Sequence, residues 1–401
     1  MLNNLTQKYP RLWEKAKNEA IQLELKPGNQ CKTKKLIRKA LGGAKKWVLL
    51  GGPPCQAYSL VGRARRRNEN RIKFGKDKRH TLYKEYLHIL QGFKPAVFIM
   101  ENVKGILSAK HKRKKIFQNI CADLSEAGYR LYPLFGKSSR DKTNEWRKDS
   151  FIVKSEHFGI PQKRHRVFIL GVRNDIKKRP GFLSPSKKVV SLGTALRGLT
   201  SIRSRLSTAD EFKKWLIARN IGLKMAGLNT KNGIDNFSGA EFVKQKNDSA
   251  WFMADSRLPG ILNHKSRSHL ATDVMRYAFA AVYAQKHGKS PTIFDFPVCL
   301  RPKHKNLARP NVPFIDRFKV QLGNRPSSTI TSHISKDGHY YIHPDPAQAR
   351  SLTVREAARL QTFPDNYRFE GPRTEQYKQV GNAVPPLLAT KVAKIVAEIL
   401  K

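Results

Sequence analysis

In the first 173 residues, short apolar runs bounded by turn residues alternate with stretches of helical period. Trp47–Leu50, "PAVFIMENV" (95–103), "YRLYPLF" (129–135) and "RVFILGV" (Arg166–Val172) are too short for helices and rich in β-branched and aromatic residues, so each predicts a strand. "TLYKEYLHILQGF" (81–93) and "IFQNICADLSEAG" (116–128) predict helices between them. A further helix is expected over 5–25, with Leu5, Leu12, Ala16, Ala20 and Leu23 loosely on one face, and a basic one over 31–41. Strand, helix, strand, helix, strand is the rhythm of a parallel sheet with helices on its faces, so the fold class is α/β.

From about 174 to 324 the periodicity weakens and basic residues are frequent, which predicts a separate lobe. Strong signals return near Arg325. Thr353 and Glu356 form a capping box that starts a helix, and Phe363–Pro364 stops it. At the C-terminus, Val392, Ile395, Val396 and Ile399 fall at i, i+3, i+4 and i+7, the stripe of a packed amphipathic helix.

Composition adds a partner. The 401 residues hold 78 Lys and Arg against 30 Asp and Glu, a formal charge of +48. A surplus of this size points to a polyanion. Nucleic acid fits better than a membrane, because no amphipathic anchor, lipidation motif or apolar span accompanies the charge. The N-terminus has no continuous apolar stretch of the secretory type. Cys31, Cys55, Cys121 and Cys299 are widely scattered, with no paired zinc spacing, as expected of an intracellular protein with reduced thiols. His333, His339 and His343 match no zinc pattern and are expected to be loop or strand histidines, so no metal is expected.

The candidate chemistry gathers at two strand ends. "WVLLGGPPCQAYS" (Trp47–Ser59) delivers Cys55 in a stiff Gly-Gly-Pro-Pro turn directly after the first strand, and Glu101 closes the second. Ligands of such sheets sit beyond the carboxyl ends of the strands. If the two strands are neighbours, thiol and carboxyl share one pocket, and the prolines limit how the turn can move. Singly, Cys55 reads as a small buried apolar residue and Glu101 as an ion-pair partner; together they read as a site. Residues 59–80 hold nine Lys and Arg and no sustained apolar period, an exposed basic loop. "KHKRKK" (Lys110–Lys115) reads as solvated charge.

"PPCQAYS" resembles the nucleophile motif of the cytosine-C5 DNA methyltransferases, and "ENVKG" (Glu101–Gly105) their acidic motif. "QKRHRVFILGV" (Gln162–Val172) is similar to the motif with two arginines, here Arg164 and Arg166. "RPSSTITSHIS" (Arg325–Ser335) and "QYKQVGNAVPP" (Gln376–Pro386) resemble the two closing motifs. Five motifs stand in the family's order from about 47 to 400. The resemblance implies a Rossmann-like S-adenosylmethionine-dependent methyltransferase sheet with a second, smaller target-recognition domain. The expected division is 1–173 catalytic, 174–345 target recognition, and 346–401 C-terminal helices returning to the catalytic domain.

The implied reaction explains the residue types. C5 of cytosine is a poor nucleophile, and a thiolate adding at C6 makes it electron-rich enough to attack a methyl sulfonium. Cys55 is the implied nucleophile, and Glu101 the acid that pairs with N3. Arg164 is implied to position the base through its ring oxygen and a nearby phosphate, and Arg166 to support Glu101 or the backbone. The target is flipped out of duplex DNA. Gln56, Ser59, Arg63 and Arg65 are the implied DNA contacts in the loop after Cys55, joined there by Arg66, Arg67 and Arg71. The implied cofactor contacts are Pro54, Leu82, Asn382 and Val384, the methionine side of S-adenosylmethionine.

The resemblance breaks at one point. The family's Phe-x-Gly-x-Gly-Gly turn is not found; Gly42–Gly43 and Gly51–Gly52 do not match it. The chain reads as shortened at its N-terminus. A misassigned start, half of a two-chain enzyme with a complementing N-terminal chain, a decayed gene, and a divergent replacement element all remain open. The leading expectation is a bacterial or phage modification enzyme, cytoplasmic and monomeric on DNA. The alternatives are an inactive DNA-binding remnant and an RNA cytosine methyltransferase.

Overall fold

The computed structural model describes residues 6–53, 83–111, 114–135, 147–229, 234–245, 255, 257–302 and 315–401. It divides into two compact units, one of Met1–Ile152, Arg166–Gly181 and Glu398–Lys401, the other of Val153–His165 and Phe182–Ala397.

The first unit opens with helices α1 (Pro10–Glu19) and α2 (Gln30–Leu41). Residues 6–8 are helical, as the apolar spacing predicts, but the helix is interrupted at Tyr9, and Pro10 starts α1, where its missing N–H costs nothing. The expected packed face does not form: α1 buries no residue, and Leu12 is 66% exposed.

Strand β1 (Val48–Gly51) leads through α3 (Tyr83–Phe93) to β2 (Val97–Val103), and α4 (Ile116–Glu126) leads to β3 (Tyr129–Tyr132). β1 and β2 pair in parallel, Val48 opposite Val97 and Gly51 opposite Met100. β4 (His165–Arg173) lies between β2 and β3 in the order β1-β2-β4-β3. It is antiparallel to both, which corrects the all-parallel expectation. A parallel connection needs a crossover helix. Such helices precede β2 and β3, but among the described residues between β3 and β4 there are only short 3-10 turns and two- or three-residue strands.

Residues 97–100 of β2 are fully buried, as a strand covered on both faces must be. Phe98, Met100, Val167 and Ile169 of the sheet pack with Leu90 of α3 and Phe117, Ile120 and Leu124 of α4. Gly171 of β4 is obligatory for this packing. A Cβ there would lie 1.9 Å from the Phe98 ring, so any side chain would have to displace that ring from the core.

In the second unit, α5 (Phe212–Met225) packs against α6 (Ala271–His287). Gly222 permits the approach, since a Cβ on it would meet the Met275 carbonyl at 2.2 Å. Strands β5 (Gly239–Lys244) and β6 (Gly260–Lys265) form an antiparallel pair. Helix α7 (Val354–Leu360) starts at the expected capping box, with Glu356 N donating to Thr353 Oγ1 and Thr353 N to Glu356 Oε2. Helices α8 (Arg373–Asn382) and α9 (Pro386–Leu400) follow. Val392, Ile395, Val396 and Ile399 of α9 are all buried, as their spacing predicts. Among the described residues, no helix is long and apolar enough to cross a membrane.

Candidate active site

The parallel pairing of β1 with β2 sends both strands out at the same edge of the sheet. Beyond it, the chain leaving β1 runs directly against the end of β2. Asn102 donates from Nδ2 to the Pro53 carbonyl at 3.3 Å, while its Oδ1 accepts from the Val103 N–H at 2.8 Å. A Cβ on Gly52 would lie 3.5 Å from Glu101 Oε2, so the chain passes the carboxylate closely. Cys55 itself lies outside the described residues, two positions beyond the carbonyl that Asn102 holds.

Asn102 was not singled out in the sequence. Its signal was present, since an amide in an otherwise apolar strand must find partners. It is 7% exposed; its Nδ2 ties the Pro53 carbonyl to the strand that carries Glu101, and its Oδ1 is held by the next N–H of that strand.

Register explains the partner of Glu101. Glu101 pairs with Phe168 and Val103 with Arg166 across β2 and β4. Arg166 is therefore the diagonal neighbour of Glu101 on the same face, within reach of a long side chain. Its Nε stands 3.1 Å from Glu101 Oε1, with the two side chains 15% and 20% exposed. Burial pushes the Arg166 guanidinium below its ordinary pKa, and the charge and hydrogen bond of Glu101 oppose that shift.

Arg164, two residues earlier, is used differently. It is 4% exposed and belongs to the second unit. Its Nη1 donates to the carbonyls of Ile330 at 2.9 Å and Gly381 at 3.1 Å, and its backbone N–H donates to Ser155 Oγ at 2.9 Å. The similar-looking pair of arginines thus serves two separate environments, one carboxylate and two main-chain carbonyls.

Gly381 is pressed onto the main chain of Thr331 and Ser332, where a Cβ would come within 2.3 Å. Gln361 Nε2 donates to the carbonyls of Val380 at 2.6 Å and Ala383 at 3.3 Å. Asn382 is exposed and Val384 half-buried on the segment so fixed. Pro54, Leu82, Gln56, Ser59, Arg63 and Arg65 lie outside the described residues. So do Arg66, Arg67 and Arg71 of the basic loop.

The three histidines of 333–343 have protein partners. His339 Nδ1 hydrogen-bonds the Tyr277 hydroxyl at 2.6 Å, and buried His343 lies 3.5 Å from Glu356 Oε1. His333 forms part of a 3-10 turn.

A family model described as C-5 cytosine-specific DNA methylase matches residues 32–398. The chain belongs to this family and is an enzyme, a DNA (cytosine-5-)-methyltransferase. It is 36% identical over 407 residues to a type II methyltransferase, M.Bpa9945I, of Bacillus paralicheniformis, with 98% of this chain and 82% of that one covered. The DNA (cytosine-5-)-methyltransferase M.ApeKI of Aeropyrum pernix is 25% identical over 94% of this chain and 87% of its own. Among solved structures, a prophage-encoded E. coli protein titled a DNA modification methyltransferase aligns with a TM-score of 0.54 at 21% identity. That alignment covers 91% of this chain and 83% of the other, and it shows a shared fold.

Proposed function

We propose that the chain methylates cytosine in duplex DNA with Cys55 as nucleophile and Glu101 as its acidic partner, Arg166 holding the carboxylate in place. The carrying observation is the turn before Cys55: Gly52 lies against Glu101, Pro53 is tied to Asn102, and Glu101 is paired with Arg166 at 3.1 Å.

The bonds balance as follows. The Cys55 thiolate adds to C6 of a flipped-out cytosine, and the electrons released toward N3 are met by a proton at the Glu101 carboxyl. C5 is then nucleophilic. S-adenosylmethionine, when bound, supplies an electrophilic methyl for C5. With the donor released as its neutral thioether, H5 is lost as a proton to water, its bonding pair re-forms the C5–C6 double bond as the C6–S bond breaks to free the thiolate, and N3 returns its proton to Glu101. Arg166 orients Glu101 throughout and offsets its charge.

Asn382 and Val384 suit the amino-acid end of the methyl donor. An exposed carboxamide beside a half-buried apolar side chain sits on a segment that Arg164 and Gln361 hold rigid. Pro54 and Leu82 are assigned to the same donor by motif. Gln56, Ser59, Arg63 and Arg65 are assigned to the DNA, and residues 174–345 to recognition of its sequence. The type II names of the relatives support a modification enzyme that protects DNA from a restriction partner, acting in the compartment that holds the DNA.

Glu101→Gln keeps the shape of the side chain and removes the acid. Methyl transfer should fall by about 10²- to 10⁴-fold, the range of one positioned acid–base group. Duplex binding should stay at its wild-type value, and the protein should stay folded with a lowered urea unfolding midpoint, because Arg166 loses its charged partner. A near-normal single-turnover rate would remove Glu101 from the mechanism.

A further inference from the structure

The second unit carries a basic cleft lined by none of the catalytic, cofactor or basic-loop residues named above. It encloses about 390 Å³ and is lined by Arg205, Lys265 at the end of β6, Arg368, and Arg373 at the start of α8. All four cations are half-buried. Two carboxylates share the lining, Glu241 and Glu370, and Arg368 Nε stands 2.8 Å from Glu370 Oε1, so four cations face two carboxylates.

The cleft is built rather than loosely draped. Asn263 of β6 clamps the Phe369 main chain from both sides, accepting from its N–H at 2.9 Å and donating to its carbonyl at 3.0 Å. Gln376 donates to the Gly371 carbonyl and Gln379 to that of Glu370, both at 3.0 Å, fixing the turn into α8. Arg373 donates to the Ser266 carbonyl at 2.6 Å, and Arg205 Nε to Asp210 at 3.0 Å. These bonds hold the guanidinium groups in place before any ligand arrives, which lowers the entropic cost of binding. The positive end of the α8 dipole points the same way.

Two of the lining cations, Arg205 and Arg373, also repel each other. Arg373 is held below its ordinary pKa, first by burial and then by Arg267 and Arg205, with Tyr377 and Glu241 opposing. A group of positive charges that repel one another gains from an anion placed among them.

We propose that this cleft seats a backbone phosphate of the bound duplex, with Arg368 and Lys265 as the contacting cations and Arg205 and Arg373 as their fixed support. The proposal rests on the DNA-methylating reading and extends it, since it assigns an orienting contact that carries no sequence information. A duplex is favoured over a free anion because the cleft is open and the whole chain carries +48.

The test uses the full chain and a fluorescent mixed-sequence duplex, with affinity measured across a range of KCl concentrations. Each phosphate contact contributes about 0.9 to the slope of log affinity against log salt. The Lys265→Gln/Arg368→Gln variant should lose about 0.9 from that slope, the share of one phosphate, with an unchanged thermal unfolding midpoint. Lys15→Gln/Lys17→Gln, which removes the same charge from the exposed surface of α1, should keep the wild-type slope. A cleft variant with the wild-type slope, or a control that loses as much, overturns the proposal and leaves the methyltransferase reading standing. A wild-type chain that binds no duplex at all overturns both.

Discussion

Cys55→Ser is expected to abolish methyl transfer while leaving duplex binding in place. The step that needs the residue is addition to C6, and only an anionic nucleophile performs it at useful rates. An ordinary cysteine is a few per cent thiolate at pH 7, and a serine hydroxyl is not measurably ionised there. The two side chains differ by one atom, and the bond from Asn102 to the Pro53 carbonyl is untouched by the change. Loss of a covalent nucleophile costs about 10⁴-fold or more. Incorporation of a labelled methyl group by matched amounts of both proteins reads the effect, with gel retardation of the same duplex as the control. Substantial methylation by the serine variant would remove Cys55 from the reaction.

The second large effect concerns stability. Glu356 is 1% exposed and carries a dense set of bonds in the second unit. Arg350 donates to it twice, Nη1 to Oε2 at 2.7 Å and Nη2 to Oε1 at 2.6 Å. Burial alone would push the Glu356 carboxyl up, but Arg350, His343 and His264 outweigh it and hold the group well below the usual carboxylate range. Removing one partner of a buried pair strands the other charge, which costs about 3–5 kcal/mol. Glu356→Ala also removes half of the capping box of α7. The urea midpoint of the transition that reports this unit should fall accordingly, and a shift below about 1 kcal/mol would show that Arg350 finds another anion.

The same cluster makes the unit acid-labile. His264 and His343 are buried and held down to about 4, chiefly by burial and then by the balance of Arg350 against Glu356. Each has a folded pKa below its unfolded value, so its contribution is present above about 6.5 and is lost as pH falls toward 4. Glu356 acts in the same direction at lower pH, because its carboxylate must also be protonated. Thermal unfolding followed from pH 7 to pH 4 should show a steadily falling midpoint.

What was legible in the sequence followed from one-sided burial or from chemistry with a strict local pattern. The stripe of α9 shows because only one face of that helix is covered, and the capping box of α7 because Thr353 and Glu356 must stand three residues apart. The motifs around Glu101 and Arg166 show for the same reason. α6 left no such trace. It buries Val274, Tyr277, Ala278, Phe279, Ala280, Ala281, Val282 and Ala284, and a helix covered nearly all round has no amphipathic period to read. The packing of α5 against it depends on Gly222, which looks like any other glycine until the Met275 carbonyl is placed beside it. Strand direction was misread because alternation of elements does not encode it, and the antiparallel β4 became visible only through its register with β2. Arg164 and Arg166 occupy alternate positions of one motif, yet nothing in that spacing tells a carboxylate partner from a pair of main-chain carbonyls.

The account is tested most directly by the chemical identity of the methylated base. The full chain would be incubated with S-adenosylmethionine and unmodified DNA of diverse sequence, the DNA digested to nucleosides, and the products separated by mass spectrometry against authentic standards. Addition of Cys55 at C6, with Glu101 at N3, activates C5 and no other atom, so 5-methylcytosine is predicted as the product. Methyl on the exocyclic nitrogen of cytosine, or on no cytosine at all, would contradict it.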